Sequence, residues 1–249
     1  MSQASIGAFA VNLNDLLSHY GRVTATGAMR EVDRAIRAFS EGHMREMPTP
    51  PLGLGDLAPD VLLSDEGAAA AAPKTLSSLL ASGPVVLKFY RGRWCPYCTL
   101  ELRAWQRELD RLAALRGRLV AISPQCRAET ESTRQRDELT MMLAIDPGNE
   151  IARQFGIAYD VRLEERQLMR SLGVDLAAIN EPTRGGPGGG WSLALPALYV
   201  IGQDRRIAFS FVAADYRSRA EPGDVIAVVA SLDASGRLNR PGQAPGSCG

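Results

Sequence analysis

The chain has 249 residues, which is enough for one large domain or for a core domain with an appendage. Its 28 Lys and Arg residues balance 28 Asp and Glu residues, so the net charge is zero and no basic excess indicates a nucleic-acid partner. The sequence has neither a secretory signal nor an apolar run of the roughly 20 residues that span a bilayer, so we expect a cytoplasmic protein that does not enter the membrane. In that compartment its four cysteines are expected to be catalytic, metal-binding or inert rather than joined in structural disulfides.

The first 50 residues have a helical pattern. Apolar residues recur at helical spacing from Leu13 to Tyr20 and again from Val32 to Phe39, and the prolines at positions 48, 50 and 51 end the pattern. We therefore expect an N-terminal helical extension over residues 1–50, one α/β domain over 51–235 and a flexible tail over 236–249. The extension is expected to pack on the main domain or across a homodimer.

From residue 52 onward, short apolar runs alternate with amphipathic segments. The expected elements are a buried strand at 85–90, a long helix at 100–115, a strand at 119–123, helices at 127–139, 147–156 and 161–180, a glycine-rich loop at 185–190, a hairpin of strands at 197–201 and 207–211, and a closing helix at 224–232. This order predicts an α/β fold with a mixed central sheet and helices on both faces.

The clearest chemical motif is the run Trp94, Cys95, Pro96, Tyr97 and Cys98, between the first buried strand and the long helix. Two residues between the cysteines allow their sulfurs to close a small disulfide ring, and the free N–H groups and positive dipole end of a helix favour a thiolate. Pro96 suits the first helical turn, where its missing N–H has no cost. The motif predicts a redox-active pair; two inert cysteines or half of a zinc site are the alternative, and a single CxxC with two distant histidines disfavours metal.

Residues 84–98 resemble the active-site region of the thioredoxin superfamily, in which WCxxC follows a β-strand. A wider resemblance, over residues 52–232, is to the peroxiredoxin-like AhpC/TSA family. The motifs that carry it are GDLAPD at 55–60, FYRGRWCPYC at 89–98, AISPQ at 121–125, DPGNE at 146–150 and LPALYVI at 195–201. The resemblance implies a thioredoxin-like fold and a thiol-dependent antioxidant enzyme that reduces peroxides through a Cys95–Cys98 disulfide, with no cofactor and no metal.

The active centre departs from the family pattern at three positions. The family motif is PxxxTxxC, and its spacing places Cys98 at the attacking position, with Arg91 in place of the Pro and Cys95 in place of the Thr. Pro196 stands near the place of the family's second active-site arginine. It matches instead the cis-proline of thioredoxins, which faces the CxxC and shapes the substrate groove.

Charged side chains near the motif have two interpretations each. Lys88 either lowers the pKa of a nearby thiol as a cation, or it reaches solvent or pairs with a carboxylate such as Glu101. Arg91 and Arg93 are candidates to polarise a peroxide oxygen or to stabilise a thiolate in place of the missing arginine.

The remaining candidates lie beside the motif or far from it. Trp94 and Tyr97 form a docking surface for a partner disulfide or are ordinary packing residues. The segment DYRSR at 215–219 also matches this branch of the family, and we expect a salt-bridged turn there with no catalytic role. Cys126 is expected to be a bystander at the sheet edge, and Cys248 lies in the tail, where resolving a thiol of another subunit is the alternative.

Two mechanisms use the same cysteines in exchanged roles. In a peroxidase, Cys98 or Cys95 attacks a peroxide, the other cysteine condenses with the sulfenic acid, and a dithiol reductant such as thioredoxin reduces the disulfide. In a thiol–disulfide oxidoreductase, Cys95 attacks a substrate disulfide and Cys98 resolves the product. The family resemblance favours the first and the replaced Pro, Thr and Arg favour the second. A non-catalytic redox sensor that has kept the fold is a third hypothesis.

Overall fold

The computed structural model of the chain describes residues 12–65, 72–182 and 190–233. The helices, in chain order, are α1 Leu13–Thr24, α2 Gly27–Glu46, α3 Leu76–Leu80, α4 Pro96–Ala114, α5 Arg127–Arg136, α6 Glu150–Gln154, α7 Leu163–Ser171, α8 Leu176–Ile179 and α9 Pro222–Ala230. The strands are β1 Leu62–Leu63, β2 Lys74–Thr75, β3 Val85–Phe89, β4 Arg118–Ser123, β5 Met142–Ile145, β6 Ala158–Asp160, β7 Ser192–Ala194, β8 Ala197–Ile201 and β9 Ile207–Val212. A 3₁₀ turn, Pro147–Asn149, precedes α6.

A five-stranded sheet in the order β5-β4-β3-β8-β9 forms the centre of the fold. β3, β4 and β5 are parallel, and β8 runs antiparallel to both of its neighbours, β3 and β9. The central strand β3 is buried along its whole length. The predicted mixed sheet flanked by helices is confirmed, as are the strands expected near 85–90, 119–123, 197–201 and 207–211.

The pleat of β3 decides which of its side chains face the active-site helix. Successive residues of a strand point to opposite faces of the sheet. Val86 and Tyr90 belong to the apolar cluster that packs with α4 and α9, whereas Leu87 and Phe89 belong to the cluster on the other face. Lys88 shares the parity of Val86 and Tyr90, so this cation lies inside the protein under α4.

Helices α1 and α2, which we call the α1–α2 hairpin, pack on the main domain of the same chain. Leu13 and Leu17 are buried in the cluster that also contains the core residues of α4. At the start of α9, the Glu221 carboxylate accepts hydrogen bonds from the backbone N–H groups of Leu13 (2.9 Å) and Asn14 (3.2 Å). These donors have no partner within α1, so the carboxylate satisfies them and complements the positive end of the helix.

Several elements differ from the expectations. The helix expected at 161–180 is divided into α7 and α8, because Gly173 adopts a φ of +79° and closes the end of α7. The helix expected at 147–156 is the 3₁₀ turn followed by α6, and strands β5, β6 and β7 were not expected. The expectation of a cis-proline is wrong: no peptide bond in the described ranges is cis, so the bond before Pro196 is trans.

Some of the expected elements lie in parts of the chain that the structure does not describe. The predicted tail at 236–249, with Cys248, and most of the predicted glycine-rich loop lie outside the described residues. Within the described residues, no helix combines the length and the apolar character needed to span a bilayer.

Candidate active site

The CxxC motif begins helix α4 directly after the carboxyl end of β3. Cys95 is the N-cap residue, Pro96 is the first helical residue, and Cys98 lies in the first turn. Backbone N–H groups in this turn have no helical acceptor, so they and the helix dipole favour negative charge at the position of Cys98. The local placement expected from the sequence is therefore the one observed.

The loop that precedes the motif is held in a tight conformation. Gly92 has a φ of +139°, and a Cβ at this position would lie 2.6 to 2.8 Å from atoms of Trp94 and Gln125. A side chain at position 92 would therefore strain the backbone and displace its neighbours. The Gln125 side-chain oxygen accepts a hydrogen bond from the backbone N–H of Arg93, and its amide donates to Thr133 (3.1 Å). These contacts tie the active-site loop to the segment that follows β4.

Both sulfurs of the motif are buried, and both are free thiols. The Cys95 thiol donates a hydrogen bond to Cys98. Cys98 Sγ also accepts hydrogen bonds from the Arg219 guanidinium, at 3.4 Å from Nη2, and from the backbone N–H of Arg91. The three donors converge on one sulfur, which is the arrangement that stabilises a thiolate.

A buried network of charged side chains lies beneath this sulfur. Lys88 Nζ is 3.1 Å from Glu101 Oε1, and the Arg219 guanidinium pairs with the other oxygen of Glu101. Arg219 is held further by the backbone carbonyls of Tyr216 (2.6 Å) and Ser218 (2.7 Å). Fixing both cations around one carboxylate places Arg219 at the sulfur of Cys98 with little freedom to turn away.

This environment shifts the pKa values of the two thiols in opposite directions. Burial alone raises the pKa of Cys98. The hydrogen bond from Cys95 and the positive charges of Arg219 and Lys88 outweigh burial, so the pKa of Cys98 lies well below its ordinary value. The pKa of Cys95 lies well above its ordinary value, because its thiol donates to Cys98 and because it is buried. The arrangement therefore favours the thiolate form at Cys98 and the protonated form at Cys95.

The balance of charge in the buried network also favours a thiolate at Cys98. Burial lowers the pKa of Lys88 and raises that of Glu101, and their mutual ion pair opposes both shifts. With Lys88 and Arg219 as cations and Glu101 as the carboxylate, one positive charge remains without a counter-charge. A buried unpaired charge is costly, and a thiolate at Cys98 neutralises it.

An apolar cavity of about 340 Å³ lies between the CxxC motif and the α1–α2 hairpin. Cys95 is part of its wall, whereas Cys98 is not. Arg91 also lines the cavity, and its guanidinium lies between two aromatic rings, 4.7 Å from the centroid of Trp94 and 5.3 Å from that of Tyr216. A volume of a few hundred Å³ with apolar walls and few polar groups is typical of a small-molecule site.

Three of the residues predicted from the sequence lie near the two cysteines, either in the buried network or in the cavity wall. Lys88 pairs with Glu101, as the second interpretation of this lysine expected, and its charge also acts on Cys98. Arg91 lies at the cavity and contributes its backbone N–H to Cys98. Trp94 lines the same cavity.

Of the other predicted residues, Pro96 and Tyr97 also line the cavity, whereas Arg93 and Pro196 do not. The Arg93 side chain is paired with Glu129 and partly exposed. Tyr97 is covered by α1, with its ring edge-on to Tyr20 at 5.4 Å, so it is not an open docking surface. Pro96 is an exposed residue of the first turn, and Pro196 is buried just before β8.

Cys126 lies apart from the redox pair. This cysteine is the half-buried N-cap residue of α5, and its backbone N–H donates to the carbonyl of Ile179 (2.9 Å). None of the interactions that shift the pKa values of Cys95 and Cys98 involves it. Among the described residues, no three His, Cys, Asp or Glu side chains are grouped as metal ligands would be.

Arg219 is the functional residue that the sequence analysis missed. It belongs to the segment 215–219, for which we expected a salt-bridged turn without a catalytic role. Part of that expectation holds, because Arg217 pairs with Asp215 at 2.8 Å. Arg219, however, turns inward, and its guanidinium contacts Cys98 Sγ at 3.4 Å. The sequence feature that could have identified Arg219 is its place in the DYRSR segment at 215–219, which matches this branch of the family.

Comparison with known proteins finds a matching family model and several similar structures. A model of the AhpC/TSA family matches residues 54–210, which is more than half of the chain. Peroxidoxin BcpB from Mycobacterium tuberculosis has a similar structure, with a TM-score of 0.54 and 22% identity over 74% of this chain and 99% of that one. A cysteine-to-serine mutant of PrxQ from Xylella fastidiosa has a TM-score of 0.52 and 16% identity over 73% and 96% of the two chains. Reduced 2-Cys peroxiredoxin from Plasmodium vivax has a TM-score of 0.52 and 13% identity over 73% and 82%.

No curated protein matches the sequence. The family match covers the part of the chain that holds β3, α4 and the CxxC motif. The chain therefore belongs to the AhpC/TSA family.

Proposed function

We propose that this chain is a thiol-dependent peroxidase in which Cys98 attacks the peroxide and Cys95 resolves the product. The observation that carries the proposal is the hydrogen bond from Arg219 to Cys98 Sγ within a buried network that needs one more negative charge. A thiolate is the nucleophilic form of cysteine, and the contacts of Cys98 support a thiolate at the position that the family motif assigns to the attacking cysteine.

The chemical steps follow from these roles. The Cys98 thiolate attacks one oxygen of the hydroperoxide, an S–O bond forms, the O–O bond breaks, and the departing alkoxide leaves as an alcohol after it takes up a proton. Cys95 then attacks the sulfur of the Cys98 sulfenic acid, and water leaves as the disulfide forms. Two thiols and one hydroperoxide thus give one disulfide, one alcohol and one water. Arg91, at the cavity beside Cys95, is placed to polarise the peroxide oxygens.

The cycle requires a source of two electrons. We propose a dithiol protein such as thioredoxin, because a CxxC disulfide at a helix start is reduced by attack of an external thiolate, and a second thiol of the same donor completes the exchange. This requirement fits a reducing compartment such as the cytoplasm.

The direct test uses the fully reduced protein and stoichiometric hydrogen peroxide. We expect the rapid loss of two thiols, a change in Trp fluorescence followed by stopped flow, and a Cys95–Cys98 disulfide located by mass spectrometry. Replacing Cys98 with serine should reduce oxidation to the rate of a free thiol. Oxidation of the wild-type protein that is no faster than a free thiol would contradict the peroxidase proposal.

The low pKa of Cys98 predicts an unusual pH dependence of its alkylation. A free thiol with a pKa of about 8.5 reacts roughly tenfold faster at pH 9.5 than at pH 7.5, because the thiolate fraction rises over that range. For Cys98, whose pKa is lowered, the thiolate fraction is already high at pH 7.5, so its alkylation rate in Cys95→Ser should change less than about twofold over that range. The rate should fall only at more acidic pH, as Cys98 takes up a proton. A tenfold rise would show that this thiol has an ordinary pKa.

A second function is favoured by one observation, namely that Cys95 lines the cavity and Cys98 does not. Under this hypothesis Cys95 attacks a substrate disulfide after passing its proton to Cys98, and Cys98 then resolves the mixed disulfide. The burial of Cys95 and its raised pKa disfavour this order. Rapid reduction of a protein disulfide by the Cys98→Ser variant, with trapping of the mixed disulfide on Cys95, would establish it.

A further inference from the structure

Two buried charged side chains that line the cavity each have a polar atom without a hydrogen-bond partner. Arg91 is 3% exposed and its Nε has no hydrogen-bond acceptor, and Glu165 of α7 is 1% exposed and its Oε1 has no donor. Both residues line the cavity together with Cys95. A buried donor or acceptor without a partner costs about 1–3 kcal/mol, so such atoms in a cavity indicate a site for a polar ligand group.

We propose that Arg91 and Glu165 bind the –OOH head of an organic hydroperoxide, and that the α1–α2 hairpin forms the wall that holds its organic part. This inference rests on the proposed peroxidase function and names the residues of this chain that bind and select its substrate. A hydroperoxide has one O–H donor for the Glu165 carboxylate and oxygen lone pairs for the Arg91 guanidinium. A disulfide has no donor and only weak acceptors, so it leaves the carboxylate oxygen without a partner.

Glu165 is held in place from the hairpin side. Its other oxygen, Oε2, lies 2.9 Å from Nε2 of His43 in α2, and the His43 ring stacks on Tyr159 with 4.1 Å between centroids. The contact fixes one carboxylate oxygen and leaves the second for a ligand. The hairpin therefore positions one of the two head-binding groups.

Most of the apolar side chains of the cavity wall come from two sources. The hairpin contributes Tyr20, Met29 and Ile36, and the region of α7 and the turn after it contributes Met169 and Leu172. The hairpin lies wholly outside residues 54–210, the part that matches the family model. The part of the wall that the hairpin contributes is thus a feature of the N-terminal extension, whereas Met169 and Leu172 lie within the matched region.

Ion pairs anchor this wall to the segment that carries the catalytic arginine. Asp33 of α2 pairs with Arg217 at 2.9 Å and accepts a hydrogen bond from the Tyr216 hydroxyl. Tyr216 also contacts the Arg91 guanidinium, and its backbone carbonyl accepts from Arg219. These contacts therefore connect the hairpin wall directly to the segment that contacts Cys98. We expect the cavity to favour substrates that fill it.

The test compares cumene hydroperoxide, which has a bulky apolar group, with hydrogen peroxide, which has none. We expect the wild-type protein to be oxidised at least tenfold faster by cumene hydroperoxide. Ile36→Trp, which fills the cavity, should slow the reaction with cumene hydroperoxide by tenfold or more and change that with hydrogen peroxide less than twofold. Met29→Trp, at a position that is 42% exposed and tolerant of a larger side chain, should act in the same direction.

The head-binding residues should behave differently from the wall. Arg91→Met and Glu165→Leu should slow the reactions with both peroxides by similar factors of tenfold or more, because the –OOH group is common to both. Val23→Trp is the matched control, since Val23 lies on the same hairpin, is 64% exposed and does not line the cavity. It should leave both rates unchanged.

Three results would overturn the inference. They are equal effects of the wall variants on both peroxides, no effect of the wall variants on either peroxide, and no effect of the head-group variants on either peroxide. A wild-type protein that reacts slowly with both peroxides would instead contradict the peroxidase function itself, before any variant is compared.

Discussion

Replacing Arg219 with methionine is expected to slow the reaction of Cys98 with hydroperoxides at pH 7 by roughly 10- to 1000-fold. A nearby opposite charge shifts the pKa of an ionisable group by about 1–3 units, and Arg219 is the cation in direct contact with Cys98 Sγ. Without it, burial is opposed by fewer favourable interactions and the pKa of Cys98 rises. Stopped-flow oxidation of the reduced protein measures the rate.

The pH profile distinguishes this electrostatic role from a loss of structure. In Arg219→Met the rate should recover as the pH is raised, because the thiolate then forms without the cation, and Arg219→Lys should restore part of the activity at pH 7. Arg103→Met is the matched control: Arg103 lies on α4 like Cys98, but it pairs with Asp137 and is half-exposed. A wild-type rate and an unchanged pH profile in Arg219→Met would contradict the assigned role.

Replacing Glu101 with glutamine is expected to lower the free energy of unfolding by roughly 3–5 kcal/mol, the range seen when one partner of a buried ion pair is removed. Lys88 and Arg219 would share the interior with Cys98 as their one remaining counter-charge. The same substitution should lower the pKa of Cys98 further, because a nearby negative charge is lost. Stability would be measured by urea unfolding and the pKa by the pH dependence of alkylation.

Glu108→Gln provides the comparison for this prediction. Glu108 lies on the same helix and pairs with the exposed Arg111 at 2.6 Å, so its loss should cost less than about 1 kcal/mol. If Glu101→Gln destabilised the protein no more than Glu108→Gln does, the buried network would not contribute to the fold as described.

The parts of the fold that the sequence predicted are those set by local patterns. The apolar, β-branched run before the CxxC motif is typical of a short buried strand, and the leucine spacing after it is typical of a helix, so the sequence placed the sulfurs at a helix start. The break at Gly173 and the short strands β5 to β7 were missed because runs of three or four residues carry too little periodicity to identify.

The parts of the site that were not predicted come from contacts between distant segments. Arg219 is 121 positions away from Cys98 in sequence, and Glu165 is 122 positions away from His43. No periodic pattern records such contacts, since they follow from how the helices and loops pack. Pro196 was matched to the cis-proline of thioredoxins by its position alone, but a sequence position does not determine the isomer of a peptide bond.

The central claim is that Cys98 is the attacking thiolate, and the most direct test locates the first oxidised sulfur. In the Cys95→Ser variant the serine hydroxyl can still donate to Cys98, but the resolving thiol is absent, so a sulfenic acid should persist on Cys98. The variant would be treated with stoichiometric hydroperoxide in the presence of dimedone, which traps sulfenic acids, and analysed by mass spectrometry. Our account predicts rapid labelling of Cys98 there and no rapid labelling of Cys95 in Cys98→Ser; the reverse pattern would contradict it.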